Sequence, residues 1–155
     1  MPHVPGLRSP YAKVGRLVYF GRLLDKIRLH AAGQLPPDYT GNLGDTSSPN
    51  FFDGRCCRFL GVPYAAIRDR TLAGGSDEEI LAWCQELGTP RSDEDCMIWN
   101  RFMSKLGWRD DRTAVVQQRI REYGLAERAA GIETMFDLID RDEGRDPLAT
   151  EPWRD

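Results

Sequence analysis

Three charged side chains near the N-terminus are spaced so that they share one face of a predicted helix. Arg22, Asp25 and Arg28 follow one another at intervals of three residues, and residues three apart are neighbours on a helix surface. An acidic residue between two arginines can orient their guanidinium groups as a bidentate clamp for a carboxylate or a phosphate. The alternative is an ordinary ion pair on a helix surface, which contributes little stability.

Two further residues of this segment bear on the same hypothesis. A glycine inside a helix costs up to about 1 kcal/mol relative to alanine, so Gly21 indicates the close approach of another backbone or of a ligand. Lys26 lies on the opposite shoulder of the helix, together with Tyr19 and His30. The sequence therefore predicts a set of ligand-binding residues: Arg22, Asp25, Lys26, Arg28 and Arg55.

Two adjacent cysteines are a second candidate for chemistry. If Asp53 caps a short helix over residues 54–60, Cys56 and Cys57 lie near its N-terminus, and Arg55 is one of the cations beside them. Helix N-termini and neighbouring cations lower the pKa of a thiol and so favour a reactive thiolate. In this interpretation Cys57, or Cys56, is the nucleophile, and His30 is the only candidate base.

The competing interpretation is that all four cysteines of the chain pack in the core. Cys56 falls on an apolar stripe with Phe52, Phe59 and Leu60, and Cys84 and Cys96 fall on the apolar stripes of later helices. A free cysteine on such a stripe behaves as a small hydrophobic residue. No C-x-x-C pair is present, so the spacing predicts neither a zinc site nor a disulfide framework.

Motifs for other chemistries are missing from the sequence. There is no G-x-S-x-G, no Walker loop, no dinucleotide fingerprint and no H-E-x-x-H, and we predict no cofactor and no metal. The acidic segment 137–144 does not fit a calcium loop, because Gly144 and Arg145 stand where a ligand and a glycine are needed. The two helices predicted around residues 76–106 do not fit a DNA-binding pair, because the second begins Ser-Asp-Glu-Asp.

Helix signals dominate along the chain, and strand signals are nearly absent. Ser9-Pro10 is typical of a helix start, and apolar residues at intervals of three and four then continue as far as Ala32. Further helices are predicted over residues 54–60, 64–73, 76–87, 92–106, 112–123 and 133–140. These elements predict an all-α fold, a single domain over residues 1–155 with five to seven helices in an irregular array. Residues 1–8 are expected to be an extended arm, residues 33–50 a long loop that is mobile or functional, and residues 143–155 a loose charged tail.

The composition places the chain among soluble globular proteins. Its 155 residues are 41% hydrophobic and 29% charged, with a formal net charge of −3. We find no apolar run long enough for a transmembrane helix and no signal peptide, and we expect a cytoplasmic location. The negative charge argues against non-specific binding to nucleic acid or to an anionic membrane.

Five segments together resemble a known family. They are RSPYAKVGRLVYFGRLLDKIRLHAAG, FFDGRCCRFLGV, GGSDEEILAWC, WNRFMSKLGWRD and MFDLIDRDEGR, which begin at Arg8, Phe51, Gly74, Trp99 and Met135. In order and spacing they are similar to a bacterial family of small proteins, domain of unknown function 5069. The resemblance implies a small cytoplasmic protein and brings no activity, cofactor or catalytic residue. Arg22, Asp25 and Lys26 fit the family's Pro-Arg-x-x-Asp-Lys pattern, whereas Gly21 replaces its proline.

Two functional hypotheses follow from the sequence. The first, which we favour, is a non-enzymatic helical module that binds a partner protein or a small anionic ligand, or that forms a homo-oligomer. It draws on Arg22, Asp25 and Arg28 and on the long loop 33–50. The second is a small thiol-dependent enzyme or redox protein that uses Cys56 and Cys57.

Overall fold

Most of the molecule is an array of helices, whose connections range from short turns to the long loop after the first helix. The computed structural model describes residues 3–44 and 47–154, and within these ranges it contains eight α-helices. They are α1 (Phe20–Ala31), α2 (Phe52–Leu60), α3 (Tyr64–Leu72), α4 (Asp77–Leu87), α5 (Asp93–Lys105), α6 (Thr113–Glu122), α7 (Met135–Asp142) and the short α8 (Pro147–Thr150). The prediction of a mostly helical fold is confirmed.

The segment before α1 forms a β-hairpin, so the prediction of a helix from Ser9-Pro10 is wrong there. Strands β1 (Lys13–Val14) and β2 (Leu17–Val18) pair antiparallel. Gly15 occupies the first position of their two-residue turn with a φ of 56°, a conformation that glycine adopts without steric cost. Of the predicted apolar stripe, only Leu17 lies in the hairpin, where it is buried together with Val18; the stripe from Phe20 onward lies in α1.

Helix α1 lies at the centre of the molecule, and two apolar clusters form beside it. The larger cluster joins α1 to the hairpin and to helices α2–α5, with Phe20, Leu23 and Leu24 fully buried. A smaller cluster joins the end of α5 to α6 and α7; its members are Leu106, Val116, Leu125, Ile132, Met135 and Leu138. Phe52 packs against both clusters, so the boundary between them lies at the start of α2.

The start positions of the central helices agree with the sequence. Ser76 accepts a hydrogen bond from the Glu79 backbone at the start of α4, as predicted. Ser92 and Asp95 form a reciprocal capping box at the start of α5, which is the local signal that the sequence contained. No helix among the described residues is long and apolar enough to cross a membrane.

Both chain ends pack against the body of the molecule. In the predicted arm, Val4 and Leu7 are buried. In the predicted loose tail, Glu143 is only 2% exposed, and Arg145 donates a hydrogen bond of 2.6 Å to the Leu7 carbonyl. The expectation of a tail that is loose from residue 143 onward is therefore wrong at its beginning, because the charges there have buried partners. Residues 1, 2 and 155, and residues 45 and 46 of the predicted loop, lie outside the described residues.

Candidate functional site

A cavity of about 520 Å³ opens where the two apolar clusters meet. Helices α1, α2, α6 and α7 and the loop 33–50 all contribute to its walls. Its size is typical of small-molecule sites. We call it the charged cavity because four basic and four acidic side chains line it. They are Arg22, Lys26, Arg112, Arg119, Asp38, Asp53, Asp142 and Glu143.

The first pair of charges in the cavity wall is Arg22 and Glu143. The two side chains form a bidentate pair with N–O distances of 2.9 and 2.6 Å, and both are almost fully buried. Tyr39, from the loop 33–50, donates its hydroxyl to the same carboxylate at 2.8 Å. Burial by itself raises the pKa of Glu143, but the hydrogen bond and charge of Arg22, together with the hydrogen bonds from Arg145 and Tyr39, outweigh it and hold that pKa below its ordinary value.

The second pair is Lys26 and Asp53. The Lys26 Nζ atom donates to both carboxylate oxygens of Asp53, at 2.9 and 2.8 Å. Tyr19 donates its hydroxyl to the same carboxylate at 2.6 Å, and the backbone N–H of Gly44 donates at 2.9 Å. Burial lowers the pKa of Lys26, and the attraction of Asp53 only partly opposes this effect.

Asp53 therefore does not act as the helix cap that the sequence predicts. Helix α2 begins two residues earlier than predicted, at Phe52, and Phe51 precedes it without a side-chain cap. Asp53 lies in the first turn, where a carboxylate also interacts favourably with the helix dipole. Its side chain points to the buried amine of Lys26 instead of to its own helix.

Tyr19 is held in an unusual backbone conformation beside this pair. Its φ is 72°, which is sparsely populated for residues other than glycine and costs on the order of 1–3 kcal/mol. The residue precedes α1 directly, and its ring contacts Phe52 and Phe136. The surrounding contacts thus hold the Tyr19 hydroxyl against Asp53 despite the backbone strain.

Two arginines of the cavity differ from the other cations. Arg112 and Arg119, at the start and near the end of α6, are half-buried and line the cavity. Neither side chain has an ion-pair or hydrogen-bond partner among residues 3–44 and 47–154. Arg22 and Lys26, by contrast, are paired with buried carboxylates. Arg112 and Arg119 are therefore the cations of the cavity that are available to a ligand.

The three charged residues predicted to form a clamp are separated in the structure. Arg22 turns into the charged cavity, whereas Asp25 accepts hydrogen bonds from the Arg8 guanidinium at 2.8 and 2.9 Å. Arg28 bonds to Asp77 at 2.6 Å and lies 3.7 Å from Asp25. Asp25 and Arg28 thus belong to a separate ion-pair network outside the cavity.

A group does approach Gly21 closely, but it is the Arg8 side chain and not the backbone or ligand that the sequence indicates. A Cβ atom at Gly21 would lie 2.9 Å from the Arg8 guanidinium carbon. The Arg8 Nη2 atom also donates to the Gly21 carbonyl at 3.1 Å. A side chain of the chain itself therefore accounts for this glycine.

Arg55 does not line the charged cavity. Its Nη2 atom donates to the Pro49 carbonyl at 2.5 Å, and its guanidinium lies 5.0 Å from the centre of the Phe102 ring. Partial burial, reinforced by the nearby Arg58 and Arg112, lowers the pKa of Arg55. The structure thus brings together Arg22 and Lys26 of the predicted ligand-binding set and leaves the other three outside.

The thiols of Cys56 and Cys57 are in the core. Their exposed fractions are 0% and 5%, and His30 is exposed toward the far end of α1. Burial, reinforced by the charge of Asp53, raises the pKa of Cys57 to about 12, which is the opposite of what a reactive thiolate needs. Among the described residues, no group of three or more His, Cys, Asp or Glu side chains is placed to hold a metal.

The predicted ligand-binding set lacks most of the charged cavity, including Tyr19, Asp53, Arg112, Arg119 and Glu143. Local sequence rules predict a helix cap at Asp53 and a loose tail at Glu143, and such rules do not detect partners that are distant along the chain. Asp53 is 27 positions from Lys26 along the chain, and Glu143 is 121 positions from Arg22. The one available signal was chemical, since two basic residues on an otherwise buried helix require buried acidic partners.

A comparison with models of protein families places the chain in one family. The profile described as "Domain of unknown function (DUF5069)" matches residues 4–145, and the chain belongs to this family. The match includes every lining residue of the charged cavity. No curated protein and no solved structure matches the chain significantly.

Proposed function

We propose that the protein binds a small organic anion in the charged cavity. The observation that carries the proposal is the pair of half-buried arginines, Arg112 and Arg119, which face the cavity without a partner among the described residues. A guanidinium offers a carboxylate two parallel hydrogen bonds, and such charge-assisted bonds are stronger than neutral ones.

The rest of the lining favours an anion of low charge with an apolar body. Asp38 also lies in the cavity wall, and its negative charge opposes a multiply charged ligand. The apolar part of the wall can hold a hydrocarbon group; it consists of Phe52, Leu106, Met135, Leu138 and Ile139. A monocarboxylate fits this combination better than a free phosphate does.

The loop 33–50 supports a ligand-binding role for this face. Asp38, Tyr39, Asn42 and Asn50 all line the cavity, and the Tyr39 hydroxyl anchors the loop to Glu143. Long loops without regular structure often form binding sites. The four cysteines are free, and this supports a reducing, cytoplasmic location.

The test is a binding screen with matched variants. Thermal shift and calorimetry would be run with acetate, benzoate, pyruvate, lactate and inorganic phosphate. We expect a monocarboxylate to bind, and we expect Arg112→Ala and Arg119→Ala each to weaken binding by about 10–100-fold, the effect of losing a charged hydrogen-bond pair.

The control for this screen is Arg121→Ala. Arg121 is exposed on the same helix and is absent from the cavity wall. If no anion binds, or if Arg121→Ala weakens binding as much as the two cavity variants do, the proposal is wrong.

A further inference from the structure

We propose that Lys26 forms an imine with the carbonyl carbon of a small 2-oxo acid bound in the charged cavity. This inference rests on the proposed function, since the carboxylate of the 2-oxo acid would be the anion that the cavity binds. It adds a covalent step to that binding and a chemical class to the ligand.

The placement of Lys26 is the first argument. The sequence contains three lysines, Lys13, Lys26 and Lys105, and only Lys26 lines the charged cavity. Its side chain is 5% exposed, whereas Lys13 and Lys105 are exposed on the surface. Lys26 is therefore the lysine of this sequence that is placed to meet a ligand in the charged cavity.

The second argument is the group that Lys26 touches. Asp53 receives both the Lys26 amine and the Tyr19 hydroxyl on the same oxygen, at 2.9 and 2.6 Å. The carboxylate can therefore accept a proton from the lysine, while the phenol fixes its orientation. A lysine amine becomes a nucleophile toward carbonyl groups only when it loses its proton, and desolvation of Lys26 favours that loss.

The step is balanced within this set of groups. Asp53 accepts one proton from the Lys26 ammonium, and the nitrogen lone pair then attacks the carbonyl carbon of the 2-oxo acid. The carbonyl oxygen takes up the proton that Asp53 holds and becomes the hydroxyl of a carbinolamine. Asp53 then takes a second proton from the nitrogen and gives it to this hydroxyl. The C–O bond breaks, and water departs as the C=N bond forms. The reaction thus converts an ammonium and a ketone into a protonated imine and water, with no oxidant or reductant.

The third argument is that the charged cavity contains both an amine and arginines that can bind a carboxylate. The same cavity that contains this amine contains Arg112 and Arg119, which are available to a carboxylate. A 2-oxo acid carries its carbonyl carbon next to its carboxylate, so one molecule presents both functions that the cavity can engage. Tyr19 acts in this scheme as a positioning residue, and its strained backbone is the kind of feature that occurs where a precise side-chain position is required.

The experiment is reductive trapping of the unmodified protein. The protein would be incubated with pyruvate and sodium cyanoborohydride, and the product would be analysed by intact mass and peptide mapping. We expect a mass gain of one reduced pyruvate on Lys26, with Lys13 and Lys105 unmodified under the same conditions. Lactate, which has no ketone, should compete with pyruvate and slow the trapping.

The outcomes separate this inference from the proposed function. If pyruvate stabilises the protein but leaves Lys26 unmodified, or if the three lysines react equally, the covalent step is wrong and anion binding stands. If acetate or benzoate binds but neither pyruvate nor lactate does, the inference fails and the proposed function stands. If none of the screened anions binds, the proposed function itself fails, and the inference fails with it.

A pair of tyrosine variants tests the role of the Asp53 contact. Tyr19→Phe keeps the ring packing against Phe52 and Phe136 but removes the hydroxyl, and we expect it to slow trapping severalfold and to change its pH profile. Tyr11→Phe, which removes a buried hydroxyl that donates to Asp137 outside the charged cavity, should leave both unchanged. An unchanged rate and pH profile in Tyr19→Phe would exclude the positioning role.

Discussion

At the scale of single residues, the distinctive feature of this protein is charge that is buried in pairs. Arg22 and Glu143 are exposed by only 5% and 2%, and they come from opposite ends of the chain. Removing one partner of such a pair leaves an uncompensated charge in a medium of low dielectric constant. The energetic effect is therefore much larger than that of an ion pair on the surface.

Replacing Glu143 should demonstrate this difference. We expect Glu143→Gln to lower the free energy of unfolding by about 3 kcal/mol, because the Arg22 guanidinium would stay buried without its counter-charge. Urea denaturation measures the effect. The control is Glu151→Gln in the exposed pair of Arg154 and Glu151, which should change stability by less than about 0.5 kcal/mol. Equal changes in the free energy of unfolding would show that the Arg22–Glu143 pair contributes no more to stability than an exposed pair does.

A second residue-scale prediction concerns the pH dependence of stability. Burial raises the pKa of Asp140 to about 6, although the Ser9 hydroxyl and Arg145 oppose the shift. The folded state then holds a proton on Asp140 more tightly than the unfolded state does, so this group stabilises the fold at low pH. Its contribution falls as the pH rises from about 4 to about 6.

Asp140→Asn isolates this contribution from the other carboxylates. The pKa values of Glu143 and Asp77 are lowered, so these two groups act in the opposite direction, below their unfolded pKa values. They are present in both proteins and cancel in the comparison. We expect the wild type to lose up to about 3 kcal/mol relative to Asp140→Asn between pH 4 and pH 6, as measured by urea unfolding at each pH. Parallel pH curves would show that Asp140 ionises normally.

At the scale of elements, one substitution in the hairpin before α1 should change stability in opposite directions in a hairpin and in a helix. Gly15 has a φ of 56°, and a side chain there costs about 1–2 kcal/mol in the left-handed region. We therefore expect Gly15→Ala to destabilise the protein by about 1 kcal/mol. If the segment were the helix that the sequence predicts, the same change would stabilise it by about 1 kcal/mol.

Thermal unfolding of a matched pair checks this prediction. Gly41→Ala is the control, because Gly41 has no positive φ and a Cβ atom there would meet nothing within 4 Å. We expect a lower melting temperature for Gly15→Ala and little change for Gly41→Ala. A rise for Gly15→Ala would support a helix in place of the hairpin.

The elements also show which parts of the structure could be predicted from the sequence. The starts of α4 and α5 could be predicted, because Ser76 and Ser92 bond to backbone groups three residues away. The hairpin could not, because each of its strands has only two residues, too few for an alternation of period two to appear, and because Leu17 continues the helical spacing of α1. The site was half predictable: Arg22 and Lys26 were found from their position on α1, but their partners depend on how distant elements pack.

At the scale of the whole molecule, charged contacts join distant parts of the chain around α1. Arg8 from the N-terminal segment binds Asp25 on α1 and Asp77 on α4. Glu143 binds Arg22 on α1 and Tyr39 in the loop 33–50, and Arg145 reaches back to Leu7. We therefore expect both chain ends and the loop to be released together when the core opens.

The cysteines provide a probe of that opening. All four are free and buried, and burial raises the pKa of Cys57 to about 12 and of Cys84 to about 11. We expect iodoacetamide to leave every thiol unmodified in the native protein near pH 8, and we expect the labelling rate to rise with urea as global unfolding does. Mass spectrometry of individual peptides gives the rate for each cysteine.

Native labelling of Cys56 or Cys57 with a midpoint below the free-thiol pKa of about 8.5 would contradict the prediction of unreactive thiols and would favour the thiol-dependent enzyme instead. Inert thiols would remove that alternative, and Lys26 would then be the nucleophilic side chain to pursue.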